Sequence, residues 1–358
     1  MGFDVKTLNA LAEEVSVGRR STIVDIARAA EVSTATVDRV LNGRSGVRAA
    51  TVKRVMRAAA ELGYVDESDE RARDVRPLSP VSFILPEGSN RYITMLGRMI
   101  VEMAPQLERF SLKPTVEYIS SFNPDLLART LQRHAKSADA IAFMAIEHPI
   151  VRETVSRIAA AGTPVVTLIS DVASLGRTAY LGLDNRAAGR MAGYLLARFI
   201  SKRPAKVAMI AGSLSYRAHG EREMGFLNIL QELYPDINVV GLREGHDDEA
   251  LNYRQMRTFL THHPDLDGIY NIGGGASGVG RALKDARREQ DVVFVGHGLT
   301  SDTREFLLDG TMDAVITQSA EDTILRCAAL LRDIRENRRI DHQPGPMRIE
   351  VIFRENLP

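Results

Sequence analysis

Three absences narrow what this sequence can encode. It has one cysteine, Cys327, which excludes an internal disulfide framework and fits a reducing compartment. No apolar run approaches the roughly 20 residues that a membrane-spanning helix requires. Residues 1–20 lack an apolar core of signal-peptide length and include Asp4, Glu13 and Glu14. We therefore expect a cytoplasmic protein that is neither exported nor embedded in a membrane.

The chain as a whole also lacks net charge, with 46 basic and 46 acidic residues among 358. Hydrophobic residues make up 44% and charged residues 26%, which is ordinary for a globular protein. The length suits one small and one large domain, or three small ones. No spacing typical of metal ligands and no catalytic constellation appears, so we predict no enzyme, no metal and no cofactor. Cys327 lies on an apolar helix face and is expected in the core.

Residues 22–64 have the pattern of three short helices. Thr22 and Asp25 have the spacing of a capping box at the first helix. Ser33 can cap a second helix that runs through Leu41, after a tight turn. Gly63 suits the left-handed residue that ends the third helix. Two helices joined by so short a turn form a helix-turn-helix, whose second helix lies in the DNA major groove.

Arg39, exposed on the second helix, is the predicted base reader because a guanidinium can bond two acceptors on guanine. Short polar residues near helix starts suit phosphate contacts. The predicted DNA-contacting residues are Thr22, Ser33, Thr34, Ala35, Thr36, Arg39, Asn42 and Thr51. Residues 19–64 hold nine basic and four acidic side chains, a net charge of +5 in a neutral chain. A small helical bundle with a solvated basic face is the alternative on this pattern alone.

The sequence of residues 22–64 closely resembles the DNA-binding headpiece of the lactose-repressor (LacI/GalR) family of bacterial transcription regulators. The shared features are a T-I-x-D-I-A opening at residue 22, V-S-x-x-T-V-x-R-V-L-N from residue 32, and a closing L-G-Y. The sequence departs at Asp38, where the family usually has a serine near a phosphate. A carboxylate there is expected to weaken that contact.

Residues 65–80 are highly charged, contain two prolines and are predicted to be a linker. The resemblance implies a hinge helix here that inserts a leucine into the minor groove. Arg73 stands near that position, and acidic neighbours such as Asp69 and Glu70 would face phosphates. An acidic flexible tether is the alternative. Residues 1–21 precede the usual start of such a headpiece and are assigned to an N-terminal extension.

From Val81 onward, short apolar runs alternate with helical stretches in two successive sets. This alternation predicts an α/β fold of two lobes, each a parallel sheet with helices on both faces. One helix is predicted from Thr94 to Phe110. The layout resembles periplasmic sugar-binding proteins and the effector domain of the lactose-repressor family. We place lobe 1 at about residues 81–182 plus 316–343, and lobe 2 at 183–315 plus 344–358.

Ligands in such sheets bind beyond the carboxyl ends of the strands, so the loops there should line a cleft. The resemblance implies that Arg222 bonds effector oxygens and, less strongly, that Gln318 lies in the cleft. The predicted effector residues are Asn90, Tyr92, Glu147, His148, Ser170, Asp171, Arg222, Asn271, His297 and Gln318. Each of them could instead cap a helix or form a surface contact.

Two departures from the family lie in these loops. An aspartate that binds hydroxyls is missing after His297, and glycines replace an Asn-Asp pair after Ile272. Gly273, Gly275 and Gly278 also match the G-x-G-x-x-G of dinucleotide-binding enzymes, although the expected acidic residue does not follow. A transport-type sugar-binding protein is the other rival, against which the headpiece argues. We predict a transcription regulator, most simply a repressor and a homodimer, that binds operator DNA and a sugar-type effector.

Overall fold

The computed structural model describes residues 21–42, 47–64, 78–120, 122–338 and 344–358. The chain divides into two compact units, residues 1–78 and 79–358, which we describe separately. Most of the predicted N-terminal extension (1–21) and of the predicted linker, including Arg73, lies outside the described residues. We call the first unit the headpiece and the second the two-lobed domain.

The headpiece contains three helices, α1 (Ile23–Ala29), α2 (Thr34–Leu41) and α3 (Ala49–Glu61). The predicted capping box is confirmed: the Thr22 amide donates to Asp25 Oδ2 at 2.9 Å, and the Asp25 amide donates to Thr22 Oγ1. Ser33 caps α2 by accepting from the Thr36 amide. Gly63 follows α3 with φ of 62°, a left-handed conformation that glycine adopts at little cost. Side chains from all three helices form one small core, with Ile26, Val37 and Val55 fully buried.

The first sheet of the two-lobed domain is parallel, in the order β2-β1-β3-β4-β5. Its strands are β1 (Ser79–Glu87), β2 (Leu112–Ser120), β3 (Ala140–Phe143), β4 (Val165–Leu168) and β5 (Ala179–Leu181). The helices between them are α4 (Arg91–Glu102), α5 (Ala104–Glu108), α6 (Pro124–His134) and α7 (Pro149–Ala160). The prediction of one helix over 94–110 was wrong. The first helix ends at Glu102, and a second helix begins after Met103 with Pro105 in its first turn.

The second sheet has the order β11-β10-β9-β8-β6-β7 and is parallel except for β11. Its strands are β6 (Ala205–Ala211), β7 (Ile237–Glu244), β8 (Gly268–Asn271), β9 (Val293–His297), β10 (Ala314–Thr317) and β11 (Glu350–Ile352). The remaining helices are α8 (Asn185–Phe199), α9 (Arg217–Leu233), α10 (Glu249–His262), α11 (Ala276–Asp285), α12 (Ser301–Asp309) and α13 (Ala320–Arg335). A short 3-10 turn, Arg354–Asn356, follows β11.

Both faces of the second sheet are buried. Along β6, Val207 and Met209 pack into one hydrophobic cluster, while Ala208 and Ile210 pack into another on the opposite face. This alternation follows from the two-residue period of a strand. The predicted fold of parallel sheets covered by helices is therefore confirmed.

The chain passes between the lobes at three places. Leu183, just before α8, bridges to Met347 on the returning segment. After β10 the chain returns to the first lobe, where Ile324, Cys327 and Leu331 of α13 join the core. Ile316 belongs to β10, which pairs with β9 and β11, so it lies in lobe 2 rather than in lobe 1 as we placed it. Strand β1 likewise begins at Ser79, inside the stretch predicted as linker.

Candidate functional site

Loops at the carboxyl ends of strands from both lobes enclose a cavity of about 50 Å³. Such a volume holds a few water molecules, whereas pockets for organic ligands are typically about 300–1,000 Å³. The lobes are therefore closed on each other in this structure. The cavity-lining residues are Asn90, Tyr92, Ile93, Met144, Ile169, Leu183, His219, Arg222, Gly273, Gly274, His297, Gly298, Ile316, Thr317 and Gln318.

Arg222 is the one arginine or lysine among these lining residues, and it is 7% exposed. Its Nε donates to Asn185 Oδ1 at 2.8 Å, and its Nη1 donates to the carbonyl oxygen of Ile272 at 2.9 Å. Burial lowers the pKa of the guanidinium, against the attraction of the nearby Tyr270, Tyr180 and Asp247. The pKa of an arginine is so high that the group stays charged. A fixed positive charge thus lies at the cavity.

Two buried histidines also line the cavity. His219 lies one helical turn before Arg222 on α9, and its Nδ1 is 3.1 Å from the Ser213 amide and 2.9 Å from the Ser213 carbonyl. His297 Nε2 is 2.7 Å from the Tyr270 hydroxyl. Burial lowers the pKa of both histidines; the negative charge of Asp247 opposes this shift at His219, and the positive charge of Arg222 lowers the pKa of both further. Both rings are therefore neutral near pH 7.

Contacts between the lobes close the mouth of the cavity. Asn90 Nδ2 donates to Asp247 Oδ2 at 2.9 Å, and the Ser89 hydroxyl donates to the Asp247 carbonyl at 2.8 Å. Asp247 Oδ1 accepts from the Gly274 amide at 2.6 Å, so this carboxylate joins a lobe 1 loop to two lobe 2 loops. Arg91 and Asp302 form an ion pair between the lobes at 2.6 Å.

An aromatic contact between the lobes adds to these polar ones. Tyr216, at the start of α9, is 1% exposed and packs within the hydrophobic core of lobe 1. Its ring centroid lies 5.3 Å from that of Phe122, which also contacts His246 at 5.2 Å. The Glu147 amide donates to the Ser215 carbonyl nearby. Separation of the lobes would expose this apolar surface.

Five of the ten predicted effector residues line the cavity, namely Asn90, Tyr92, Arg222, His297 and Gln318. The Tyr92 hydroxyl donates to the Gln318 carbonyl at 3.0 Å. Gln318 Nε2 donates to Thr323 Oγ1, so its amide is already partly engaged in lobe 1. Gly298 packs against the Tyr92 ring in a left-handed conformation that disfavours a side chain.

The other five predicted effector residues have different environments. Glu147 pairs with Arg152 and accepts from the Ala173 amide, while His148 is exposed and caps α7. Asp171 pairs with Arg177 at 2.7 Å and accepts from Thr167 Oγ1. Ser170 is fully buried, and its hydroxyl oxygen accepts from the Ala218 amide at 3.5 Å. Asn271 is also fully buried, and its Nδ2 donates to the carbonyls of Gly273 and Gly274.

His219 and Asp247 were not identified from the sequence. His219 could have been found, because residues three apart lie on the same face of a helix and it precedes Arg222 by three. Asp247 gave no such signal. It reaches its position through two consecutive left-handed residues, with φ of 50° at His246 and 56° at Asp247.

The glycines of the loop after β8 are explained by local packing and hydrogen bonds, without a bound nucleotide. The Gly274 amide is bonded to Asp247, and Asn252 Nδ2 donates to the carbonyls of Gly274 and Gly275. A side chain at Gly278 would collide with the Glu249 carbonyl, so this glycine lets α11 pack closely on α10. The Gly274 amide is therefore not free to cradle a phosphate.

In the headpiece, most of the predicted DNA-contacting residues are accessible to solvent. Thr22, Ser33, Thr34, Ala35, Arg39 and Asn42 are exposed, and Thr36 and Thr51 are half-buried. Asn42 Nδ2 donates to Asp38 Oδ1 at 2.8 Å and to the Asp38 carbonyl at 3.0 Å. Asp38, the residue that differs from the family pattern, thus accepts a hydrogen bond from Asn42, which was predicted to contact phosphate.

No described helix is long and apolar enough to cross a membrane. In the part of the chain that the structure describes, no group of three or more His, Cys, Asp or Glu side chains could hold a metal ion.

Two family patterns match the sequence. The pattern described as "Bacterial regulatory proteins, lacI family" matches residues 22–67, and the pattern "Periplasmic binding protein domain" matches residues 81–338. Among curated proteins, catabolite control protein A of Streptococcus mutans is 26% identical over 251 residues, which cover 69% of this chain and 67% of that protein. The catabolite control protein A of Staphylococcus xylosus is 25% identical over 266 residues, covering 74% and 78% respectively.

Solved structures resemble the two-lobed domain. The glucose-galactose binding protein GanP of Geobacillus stearothermophilus aligns with a TM-score of 0.70 at 24% identity, covering 78% of this chain and 99% of that one. A transporter solute-binding protein of Burkholderia graminis, solved with D-arabinose, aligns with a TM-score of 0.70 at 20% identity, covering 78% and 97%. At these identities the likeness establishes the fold alone.

Proposed function

This chain belongs to the LacI family of bacterial regulatory proteins, and we propose that it is a repressor whose operator affinity is set by a small polar ligand in the interlobe cavity. The observation that carries the proposal is Arg222, a buried charge that reaches the cavity between two lobes of one chain. Regulators of this family join such a domain to a DNA-binding headpiece. We place its action in the cytoplasm, where operator DNA is found.

The exposed side of α2 supports the DNA-binding part of the proposal. Arg39 reads a base edge in the major groove, and the short polar residues around Ser33 hold phosphates. One headpiece covers only a half-site, so a two-fold homodimer on a palindromic operator is the simplest arrangement. We expect nanomolar-range affinity at low salt that falls steeply as salt rises.

The interlobe contacts support the regulatory part. The cavity of about 50 Å³ is too small for a sugar, so the lobes must separate before a ligand enters. Opening breaks the hydrogen bond from Asn90 to Asp247 and the ion pair between Arg91 and Asp302. A ligand that binds the open and closed arrangements unequally shifts their populations. That shift is the means by which the ligand changes operator affinity.

A titration with an Arg222→Ala variant tests the proposal. The operator is first selected from a randomised duplex library, and the ligand is found by a thermal-shift screen of sugars, polyols and their derivatives. The wild-type operator affinity should change roughly 5–150-fold with ligand, a coupling of about 1–3 kcal/mol. Arg222→Ala should bind the operator without ligand and lose this response, because the ligand's partner is gone.

Arg217→Ala is the matched control. Arg217 lies on the same helix as Arg222 but forms an ion pair with Glu221 outside the cavity. It should respond to ligand as the wild type does. A wild-type dose response in Arg222→Ala would refute the assignment of the cavity as the effector site.

A further inference from the structure

Among the described residues, no acidic side chain forms a hydrogen bond or an ion pair with Arg222. Its hydrogen bonds go to a side-chain amide and a backbone carbonyl, and the ion pairs found among the described residues do not include it. Buried charges in proteins are ordinarily paired, because removing an ion from water is costly. Asp247 is the nearby acid, but it accepts its hydrogen bonds from Gly274 and Asn90. The cavity therefore contains a cation that no carboxylate contacts among the described residues, although Asp247 attracts it through space.

The two histidines offer donors to the same cavity. The Ser213 carbonyl already accepts from the Tyr216 amide, whereas the Ser213 amide has only His219 Nδ1 as an acceptor among the described residues. The tautomer that accepts this hydrogen bond at Nδ1 carries its ring proton on His219 Nε2. The Tyr270 hydroxyl has His297 Nε2 as its one acceptor in the described chain, so the proton of His297 is on Nδ1.

Acceptors at the cavity are scarce by comparison. Among the described lining residues none is an aspartate or a glutamate. The Tyr92 hydroxyl gives its proton to the Gln318 carbonyl, and Gln318 Nε2 donates to Thr323 Oγ1, so the side-chain oxygen of Gln318 is one of the few acceptors that remain. The hydroxyl groups of a neutral sugar need acceptors as well as donors, whereas an anion needs donors only.

Resting on the proposed function of the cavity as the effector site, we propose that the effector is a small anion, a carboxylate or phosphate, bound by Arg222 together with His219 and His297. The ligand accepts a hydrogen bond from Arg222 Nη2, for which the described residues provide no acceptor, and its negative charge lies beside the guanidinium. The rest of the ligand packs against apolar lining residues such as Ile93, Met144 and Leu183. An acid should therefore bind much more tightly than the neutral compound of the same skeleton.

Matched pairs of ligands test this on the full-length protein. The probes are glucuronate and galacturonate for the carboxylate, glucose 6-phosphate for the phosphate, and glucose and galactose as their neutral counterparts. Calorimetric titration at constant ionic strength should give an affinity for at least one acid on the order of 10- to 150-fold above that of its neutral counterpart, as expected for a hydrogen bond to a charged group. Tighter binding of a sugar acid would identify a carboxylate as the ligand, and tighter binding of glucose 6-phosphate would identify a phosphate.

Variants then locate the preference. Arg222→Gln should lose the acid's advantage, Arg222→Lys should keep part of it because the charge remains, and Arg217→Gln should keep all of it. Circular dichroism of the unliganded variants establishes that each is folded. The inference is overturned if the neutral sugars bind as tightly as the acids, if no acid or phosphate binds, or if the preference survives in Arg222→Gln.

The effector-site proposal can survive that result. A neutral sugar that binds through Arg222 and changes operator affinity would leave the cavity as the effector site and remove only the anion. If instead Arg222→Ala keeps the full wild-type response to any ligand, the effector-site proposal fails as well.

Discussion

The headpiece and the interlobe cavity place their functional side chains in opposite environments. In the headpiece, Thr34, Ala35 and Arg39 are exposed on α2, while the core beneath is formed by other residues such as Val37. In the cavity, Arg222 and His219 are nearly buried and hydrogen-bonded to several loops. The proposed DNA-reading surface can thus be changed without changing the core. The proposed effector cavity shares its residues with the core, so we expect function and stability to be coupled there.

The largest expected effect follows from that coupling, at Asn271. This residue is fully buried, and its Nδ2 donates to the carbonyls of Gly273 and Gly274 in the loop beside the cavity. Asn271→Ala should lower the free energy of unfolding by about 2–3 kcal/mol, because it empties a fully buried position and leaves the carbonyl of the buried Gly273 without its side-chain donor, whereas Asn252 still donates to the Gly274 carbonyl. Urea unfolding followed by circular dichroism measures this. Asn238→Ala, an exposed asparagine on β7, is the control and should lie within about 0.5 kcal/mol of wild type. Equal stability of the two variants would contradict the expectation that residues beside the cavity stabilise the fold.

The headpiece should show the reverse behaviour. Arg39→Ala is expected to cost about 1–3 kcal/mol of operator affinity and to relax the preference at one base pair in each half-site, with unchanged stability. Arg28→Ala removes the same charge from an exposed position on α1 and should lower affinity without changing the preferred sequence. Binding selection from a randomised library, followed by sequencing, separates the two. An unchanged preference in Arg39→Ala would show that Arg39 does not read a base.

The same contrast explains how far the sequence could predict the structure. The helices of the headpiece, its capping box at Thr22 and its left-handed Gly63 were predictable, because each depends on residues a few positions apart. The two lobes of parallel strands were predictable because buried strands and helices have different periods. The missed break at Met103 was also local, since Pro105 marks it.

The cavity was only half predictable, since the direction of a loop side chain depends on tertiary contacts. After β4, Ile169 adopts φ of 62°, and Ile169 lines the cavity instead of the predicted Ser170 and Asp171. Asp171 turns away to pair with Arg177. Charge and polarity identified these residues as candidates, but the backbone conformation after β4 places Ile169 at the cavity instead.

The smallest expected effect concerns Asp38, the departure from the family within the headpiece. Its carboxylate accepts from Asn42 Nδ2 and adds a negative charge beside the DNA-reading side of α2. Asp38→Ser should raise operator affinity by less than about 1 kcal/mol, because exposed charges interact weakly through water. The gain should shrink as salt is added, since screening reduces the repulsion between the carboxylate and phosphate.

Glu61→Gln makes the same change in charge at the exposed end of α3, where Glu61 pairs with Arg57. Titration of the operator at two salt concentrations compares the variants. A gain in Asp38→Ser that exceeds the gain in Glu61→Gln, most clearly at low salt, would mean that the carboxylate acts locally on the phosphate contact. An equal gain in both would mean that only the net charge of the headpiece matters.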